Sequence, residues 1–329
     1  MKTKLFRISR IVVLGVVILA LVTLAAGAVA KSNLAKKNPA PGQLVDVGGY
    51  KLHINCIGEG SPTVILEAGW GDYSTTWAYV QPEVVKNTRV CSYDRAGHGW
   101  SDPSPHPRTA SWMVDELHTL LVNANVQGPY VLVGHSLGGM LVRVYAHTYP
   151  EEVVGMVLVD SMHEEQYERL IGQKNTIPDL VRQFRMLGVL SSTGFMALAP
   201  QAIPGQGLPD DVFAQYKVIW ATTGFFNAAA TEMSAMLEST AEVRALQITS
   251  FRNLPLSVLS AGIYHPSPAL SDAENQQFWD EWQAMQSELA ALSSNSTHTI
   301  AEQSGHGIQF DQPDLVINAI LEMVAALRK

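Results

Sequence analysis

The chain has 329 residues, of which 47% are hydrophobic and 16% charged, and this composition predicts a folded body with a large core rather than a disordered chain. The net charge is −8, and the first thirty residues contain basic side chains but no acidic ones, so the remainder is more acidic still. Because an acidic surface repels phosphate backbones, nucleic acid is excluded as the expected partner, and an uncharged or weakly charged organic substrate is favoured.

The N-terminal residues 1–30 form the first predicted unit. Residues 11–30 carry no charge, and as a helix they would span about 30 Å, enough to cross a bilayer. The run is long enough for an uncleaved signal-anchor, whereas Ala28-Val29-Ala30 matches the small-residue pattern of a signal-peptide cleavage site. The chain is therefore expected to be membrane-anchored through residues 11–30 with an extracytoplasmic body, or secreted after cleavage near Ala30. Residues 31–43 are predicted to be a linker.

The two cysteines, Cys56 and Cys91, lie in segments that both have strand character. In an exported chain they could form a disulfide, and otherwise they are buried free thiols; the sequence leaves both interpretations open. Their spacing, and that of the histidines, does not match a zinc site, so no metal is expected.

Strands and helices alternate along residues 44–160 and 251–329, which predicts an α/β core with a mainly parallel sheet covered on both faces. Strands are predicted at 45–57, 63–67, 89–93, 130–133, 153–159, 254–260 and 298–302, and helices at 111–123, 140–147, 272–292 and from 313 onward. Residues 161–250 lack this alternation and are rich in large apolar side chains. They include Phe184, Met186, Phe195, Met196, Trp220, Phe225, Phe226, Met233 and Met236.

Ser136 lies in the sequence Gly134-His-Ser-Leu-Gly138, which follows the apolar run at 130–133 and precedes a helical pattern. This G-x-S-x-G pattern in a strand–turn–helix context is typical of a nucleophile elbow, in which small residues on both sides of the serine allow strand and helix to approach closely. The sequence predicts Ser136 as the nucleophile.

With three further motifs, the chain resembles the α/β-hydrolase-fold serine hydrolases from residue 45 to the C-terminus. The motifs are Glu67-Ala-Gly-Trp-Gly71, Tyr93-Asp-Arg-Ala-Gly-His-Gly-Trp-Ser-Asp102 and Gly305-His306. The resemblance implies an eight-stranded, mostly parallel sheet with helices on both faces, and a helical cap at 161–250 inserted after the sixth strand. It also implies that no cofactor is needed. Where the family usually has His-Gly after the third strand, this chain has Ala68-Gly69.

A serine hydroxyl needs a base to take its proton, and imidazole has a suitable pKa near neutrality. Among ten histidines, His306 is the predicted base, because it follows the last strand in a glycine-containing loop at the edge where α/β sheets bind ligands. His135, next to the nucleophile, is expected to point elsewhere.

A carboxylate must orient the imidazole. The family commonly supplies it after the seventh strand, but residues 263–271 contain no acid. Some members supply it after the sixth strand, where Asp160 stands, so Asp160 is predicted to be the acid. Asp272 and Glu274 are the alternatives.

The fold uses two backbone N–H groups to stabilise the oxyanion of acyl transfer, one after the nucleophile and one in the loop after the third strand. By resemblance these belong to Leu137 and Trp70. The expected function is hydrolysis of hydrophobic small-molecule carboxylic esters through an acyl-enzyme, with at least some of the cap's apolar side chains contacting the substrate and the others forming the cap's own core. Two alternatives stay open. One is another serine chemistry on this fold, namely lactone, amide or C–C bond hydrolysis or perhydrolysis; the other is a non-catalytic, membrane-tethered binding domain.

Overall fold

Eight strands form one sheet in the computed structural model, which describes residues 2–203, 205, 207–222 and 224–329. In chain order the strands are β1 (Gln43–Asp46), β2 (Lys51–Ile57), β3 (Thr63–Glu67), β4 (Val90–Tyr93), β5 (Tyr130–His135), β6 (Val153–Val159), β7 (Leu256–Ala261) and β8 (Ser296–Ala301). Their spatial order is β1-β2-β4-β3-β5-β6-β7-β8. β2 runs antiparallel to both of its neighbours, and the other neighbouring pairs are parallel. The predicted eight-stranded, mostly parallel sheet is confirmed.

The helices lie between the strands and at both ends of the chain. They are α1 (Lys2–Lys37), α2 (Gln81–Val84), α3 (Ala110–Asn123), α4 (Leu137–Thr148), α5 (Gln166–Arg169), α6 (Gln173–Ser192), α7 (Phe195–Leu198), α8 (Asp210–Thr222), α9 (Phe225–Ser234), α10 (Met236–Leu246), α11 (Asp272–Ala290), α12 (Ile308–Asp311) and α13 (Pro313–Leu327).

Both faces of the central strands β3–β7 are buried, because side chains alternate along each strand and helices cover each side, whereas most of the edge strands β1 and β8 is exposed. In β5, Leu132 belongs to a hydrophobic cluster that includes residues of α3, α4 and α11, whereas Val131 and Val133 belong to a second cluster that includes residues of α2, α12 and α13. This explains why the central strands have continuous apolar sequences.

The segment predicted as one strand at 45–57 is a hairpin, β1 and β2. Asp46 accepts hydrogen bonds from the backbone N–H groups of Gly48 and Gly49, which have φ angles of 121° and 95°. An aspartate that bonds the backbone two residues ahead, followed by glycines at positive φ, reverses the chain.

Cys56 and Cys91 are joined by a disulfide. They face each other directly on the neighbouring antiparallel strands β2 and β4. The structure thereby selects the bridged state from the two that the sequence left open.

Helices α5–α10, which follow β6 and precede β7, are called the insertion below. Its interior is an aromatic and aliphatic cluster that includes Tyr216, Phe225 and Phe226, and Tyr73 of the core joins the same cluster. Ala30 and Leu34 near the end of α1 also pack against it. The insertion thus has an apolar core of its own.

Helix α1 contains a segment, Arg10–Lys37, that is long and apolar enough to cross a membrane, and its residues 11–22 are all exposed. The helix continues to Lys37, so the first half of the predicted linker 31–43 is helical.

Candidate active site

Ser136 occupies the turn between β5 and α4 with φ = 52° and ψ = −120°, a conformation that non-glycine residues rarely adopt. Gly134 and Gly138 permit this turn, since a Cβ atom at Gly134 would collide with the backbone of Gly138, and one at Gly138 with the Glu67 and Ala68 carbonyls. The close approach of β3, β5 and α4 therefore holds the strained serine in place.

Asp160 follows β6 directly and is 1% exposed. Its Oδ1 accepts hydrogen bonds from the Ala261 backbone N–H at 2.9 Å and from the Trp282 indole Nε1–H at 3.0 Å. Its Oδ2 lies 2.6 Å from Nδ1 of His306. The carboxylate is consequently held by three donors from β7, α11 and the loop after β8.

His306 lies in the loop between β8 and α12, and its side chain is 52% exposed. Ser136, Asp160 and His306 line one cavity of about 300 Å³. Within the part of the chain that the structure describes, no hydrogen bond joins the Ser136 hydroxyl to the His306 ring. Catalytic hydrogen bonds are often long in unliganded enzymes and tighten when substrate binds.

The alternative acids lie elsewhere. Asp272 is exposed in the first turn of α11, and Glu274 accepts hydrogen bonds from the backbone and side chain of Ser271, forming a capping box with it. Neither forms a hydrogen bond or ion pair with His306 in the described residues. Of the three candidates, Asp160 is the one that contacts the imidazole.

Two opposing effects act on the pKa of His306. Loss of solvent in the cavity lowers this pKa, but the hydrogen bond to Asp160 and the negative charges of Asp160 and Asp72 outweigh it and raise the pKa above the usual histidine value. The ring thus has a carboxylate partner on Nδ1, which leaves Nε2 to exchange a proton.

The His135 ring lies beside the His306 ring, with ring centroids 4.7 Å apart. Its Nε2 is 2.9 Å from the His306 carbonyl oxygen and therefore serves as the donor. Burial, reinforced by the neighbouring His306, lowers the pKa of His135 to about 3. In the described residues the His135 ring forms no hydrogen bond with Ser136 and does not line the cavity, in line with the expectation; it is neutral near pH 7 and supports the His306 loop.

The backbone N–H groups of Trp70 and Leu137 donate no hydrogen bond to any other described residue. Gly69 allows the loop after β3, which carries Trp70, to lie against the nucleophile. A Cβ atom at Gly69 would lie only 3.2 Å from Cβ of Ser136. The Trp70 indole donates to the Ala229 carbonyl of α9 at 2.8 Å. This arrangement leaves two donors free beside Ser136.

Aromatic side chains from α11 and from the loop after β7 form much of the cavity wall. They are Tyr264, Phe278, Trp279 and Trp282. The insertion contributes Gln166 and Gln173. At least some of the nine Phe, Met and Trp side chains were expected to contact substrate, but none of them lines this cavity. Most pack against the insertion's own core or against the main core, and Met186 and Phe195 are exposed.

One group of ligand types, His163, Glu165 and Glu288, is close enough for a metal ion in the described residues. Arg169 already forms ion pairs with both carboxylates, at 3.5 Å to Glu165 and 2.7 Å to Glu288. The arginine supplies the positive charge that a cation would bring, so this group fits a metal poorly.

The chain has recognisable relatives. A family profile described as alpha/beta hydrolase fold matches residues 62–187. An AB hydrolase superfamily protein of Gibberella zeae is 27% identical over 292 residues, covering 81% of this chain and 87% of that protein. An uncharacterized protein of Schizosaccharomyces pombe, C23C11.06c, is 27% identical over 323 residues, covering 87% of this chain. The chain spans 56% of the length of that second relative.

Solved structures share the fold. An esterase from Thermogutta terrifontis superposes with a TM-score of 0.60 and 22% identity, covering 88% of this chain and 100% of the esterase. A putative epoxide hydrolase from Pseudomonas aeruginosa gives a TM-score of 0.65 and 15% identity, covering 87% and 95%. At sequence identities this low, the similarity to these two structures shows a shared fold alone.

Proposed function

The chain belongs to the α/β-hydrolase superfamily, and we propose that it is a serine hydrolase that cleaves carboxylic esters of hydrophobic small molecules. The observation that carries the proposal is the contact of Asp160 with His306 in the cavity that contains Ser136 on its strained turn. A carboxylate–imidazole pair beside a serine is the arrangement that activates a hydroxyl for acyl transfer.

The proposed reaction has two halves. The Ser136 oxygen attacks the ester carbonyl while Nε2 of His306 takes the hydroxyl proton, and the Trp70 and Leu137 N–H groups bind the resulting oxyanion. Collapse of this tetrahedral intermediate breaks the bond between the carbonyl carbon and the alcohol oxygen. The alcohol leaves with the proton from His306, and Ser136 keeps the acyl group. Water then attacks the acyl-enzyme with His306 again as base, releasing the acid and restoring Ser136.

The aromatic wall supports an apolar substrate. Tyr264 stacks on Phe278 and Trp279 with centroids 5.8 and 5.3 Å apart, so the rings form a continuous surface beside Ser136. Apolar surface lining a cavity favours ligands that lose water-exposed hydrophobic area on binding. Serine at the nucleophile position distinguishes the chain from epoxide hydrolases of this fold, which attack with aspartate.

A fluorophosphonate probe tests the assignment. Stoichiometric labelling of the wild-type chain is expected, together with none of Ser136→Ala, because the probe reacts only with an activated serine. Ser287→Ala, which removes an exposed hydroxyl on α11, serves as the control and should label fully. Absence of labelling in folded wild-type protein would reject an enzyme in favour of a binding domain, and p-nitrophenyl esters of graded length, compared with amides and lactones, separate the possible serine reactions.

The pH dependence follows from the raised pKa of His306. Only neutral His306 can accept the serine proton, so kcat/KM is expected to rise with pH through an apparent pKa above about 6.5, the usual histidine value. Asp72→Asn removes a charge that raises this pKa, which should move the rise to lower pH. Asp280→Asn, at an exposed carboxylate on α11, should leave the curve in place. An unmoved curve for Asp72→Asn would show that Asp72 does not act on the titrating group, whereas a flat profile that persists in His306→Ala would contradict His306 as the base.

We also propose that α1 anchors the catalytic body outside the cytoplasm. Its exposed apolar segment supports the anchor, and the Cys56–Cys91 disulfide supports an oxidising compartment. The intact mass of the mature protein distinguishes an anchor from a signal cleaved near Ala30.

A further inference from the structure

Five large apolar side chains are exposed on α6 and α7, and we call them the apolar patch. They are Met186 (67% exposed), Val189 (68%), Leu190 (38%), Phe195 (46%) and Leu198 (43%). Outside α1, the other exposed large apolar side chains of the described residues are scattered singly along the chain. Scattered apolar residues need no explanation, whereas a cluster marks a surface that is covered in the functional state.

The apolar patch adjoins α1. Gly27 of α1 packs against Gly194, which joins α6 to α7: a Cβ atom at Gly27 would lie 2.7 Å from the Thr193 oxygen and 2.9 Å from Cα of Gly194. One turn further along α1, Nζ of Lys31 donates to the Ser192 carbonyl oxygen at 2.9 Å. These contacts fix the position of the apolar patch along the axis of α1.

In a bilayer crossed by α1, this position corresponds to the interface. The uncharged run of α1 ends at Ala30, and Gly27 lies three residues before its end, about 5 Å inside it at 1.5 Å per residue. Phe195, next to Gly194, is therefore placed close to the depth of about 5–10 Å at which interfacial elements bury their apolar faces.

Basic side chains border the apolar patch. Arg182 and Arg185 share a surface groove with Val181, Met186 and Val189. Arg182 pairs with Asp179 at 2.9 Å, whereas Arg185 has no ion-pair partner among the described residues. Cations around an apolar surface complement the phosphates of lipid headgroups.

We infer that the apolar patch of α6 and α7 rests in the interface of the bilayer that α1 crosses, seating the insertion on the membrane. This inference rests on the proposed anchor. Because Gln173 at the other end of α6 lines the cavity, the site then lies within about 30 Å of a surface in which hydrophobic esters accumulate.

Depth-dependent quenching in the full chain tests this. The two cysteines are bridged, so an introduced cysteine can be labelled alone with the environment-sensitive fluorophore NBD. In vesicles of phosphatidylcholine and phosphatidylglycerol, labels at Phe195→Cys and Leu19→Cys are expected to be quenched by doxyl lipids. A label at Val122→Cys, an exposed apolar position on α3, is expected to stay unquenched.

The outcomes separate the two proposals. Quenching at position 19 with none at position 195 overturns the seated insertion but preserves the anchor, whereas no quenching at position 19 overturns both. Gly27→Leu must push α1 away from Gly194 and is expected to reduce quenching at position 195 to the level at position 122. Gly15→Leu, at a site with no atom within 4 Å, is the matched control and should change nothing. Unchanged quenching at position 195 in Gly27→Leu would refute the role of α1 in holding the apolar patch there.

Discussion

Asp160→Asn is expected to lower kcat for ester hydrolysis about 10⁴-fold, the effect of losing the carboxylate that orients the imidazole in a serine–histidine–aspartate site. The environment of Asp160 explains why the amide cannot substitute. Its oxygens accept from three donors, the Ala261 N–H, the Trp282 indole and Nδ1–H of His306. An asparagine amide has one oxygen and one NH₂ group, so in either orientation its NH₂ group faces a donor.

The two orientations of that asparagine fail in different ways. With NH₂ toward His306, the ring must present an unprotonated Nδ1 and therefore carries its proton on Nε2, which cannot then accept from Ser136. With NH₂ toward Trp282 and Ala261, two buried donors lose their acceptor, at about 1–3 kcal/mol each.

The matched control is Asp272→Asn, which changes the exposed alternative acid at the start of α11 and should leave kcat within about threefold. Circular dichroism establishes that both variants are folded before kcat is measured with a p-nitrophenyl ester. Loss of activity in Asp272→Asn but not in Asp160→Asn would transfer the orienting role to Asp272.

The sequence was most informative for reactive side chains that follow the end of a strand. Ser136 and Asp160 directly follow buried strands, and His306 lies in the loop after the last one, so a parallel sheet brings their loops to one edge. The mainly parallel direction of the strands follows from the same alternation of strands and helices, together with the family resemblance.

Contacts between distant segments were not predictable in this way. Phe278, Trp279 and Trp282 look like the buried face of any helix, since spacing does not reveal what a face packs against. Likewise, His135 was judged by its place on the turn, although its ring position depends on a loop 171 residues away. In the insertion, the apolar residues did not recur at a spacing from which helices could be predicted. Its aromatic side chains bury one another across α6, α8 and α9.

Arg95 is the second position at which a large effect is expected, because its guanidinium links the core, the loop after β3 and the insertion. It donates to Glu67 at 2.7 Å, to the carbonyl oxygens of Ala68 and Gly69 at 2.7 Å each, and to Glu232 of α9 at 2.9 Å. Arg95 and its two acidic partners are almost fully buried.

The charges in this cluster depend on one another. Burial raises the pKa of Glu67 despite the nearby arginine. Burial acts in the same direction on Glu232, but the charge of Arg95 and the proximity of His98 outweigh it and hold the pKa of Glu232 below the usual range. Removing the arginine thus leaves Glu232 as a buried anion without its main partner.

Arg95→Met is expected to lower the free energy of unfolding by about 3–5 kcal/mol, the typical effect of removing one partner of a buried ion pair. Urea titration of the full chain in detergent measures it. Arg182→Met is the matched control: it breaks an exposed pair with Asp179, for which about 0–1 kcal/mol is typical. Equal losses in the two variants would show that the buried cluster contributes no more than a surface pair.

A double-mutant cycle then assigns the loss to the pair. If the unpaired carboxylate causes most of it, Glu232→Gln should destabilise the wild-type chain but partly rescue Arg95→Met, because it neutralises the stranded charge. At temperatures where Arg95→Met remains folded, its kcat should still be lowered, since the Ala68 and Gly69 carbonyls lose the donors that fix the Trp70 N–H beside Ser136. Normal kcat in the folded variant would mean that the loop keeps its path without Arg95, and the arginine would then serve stability alone.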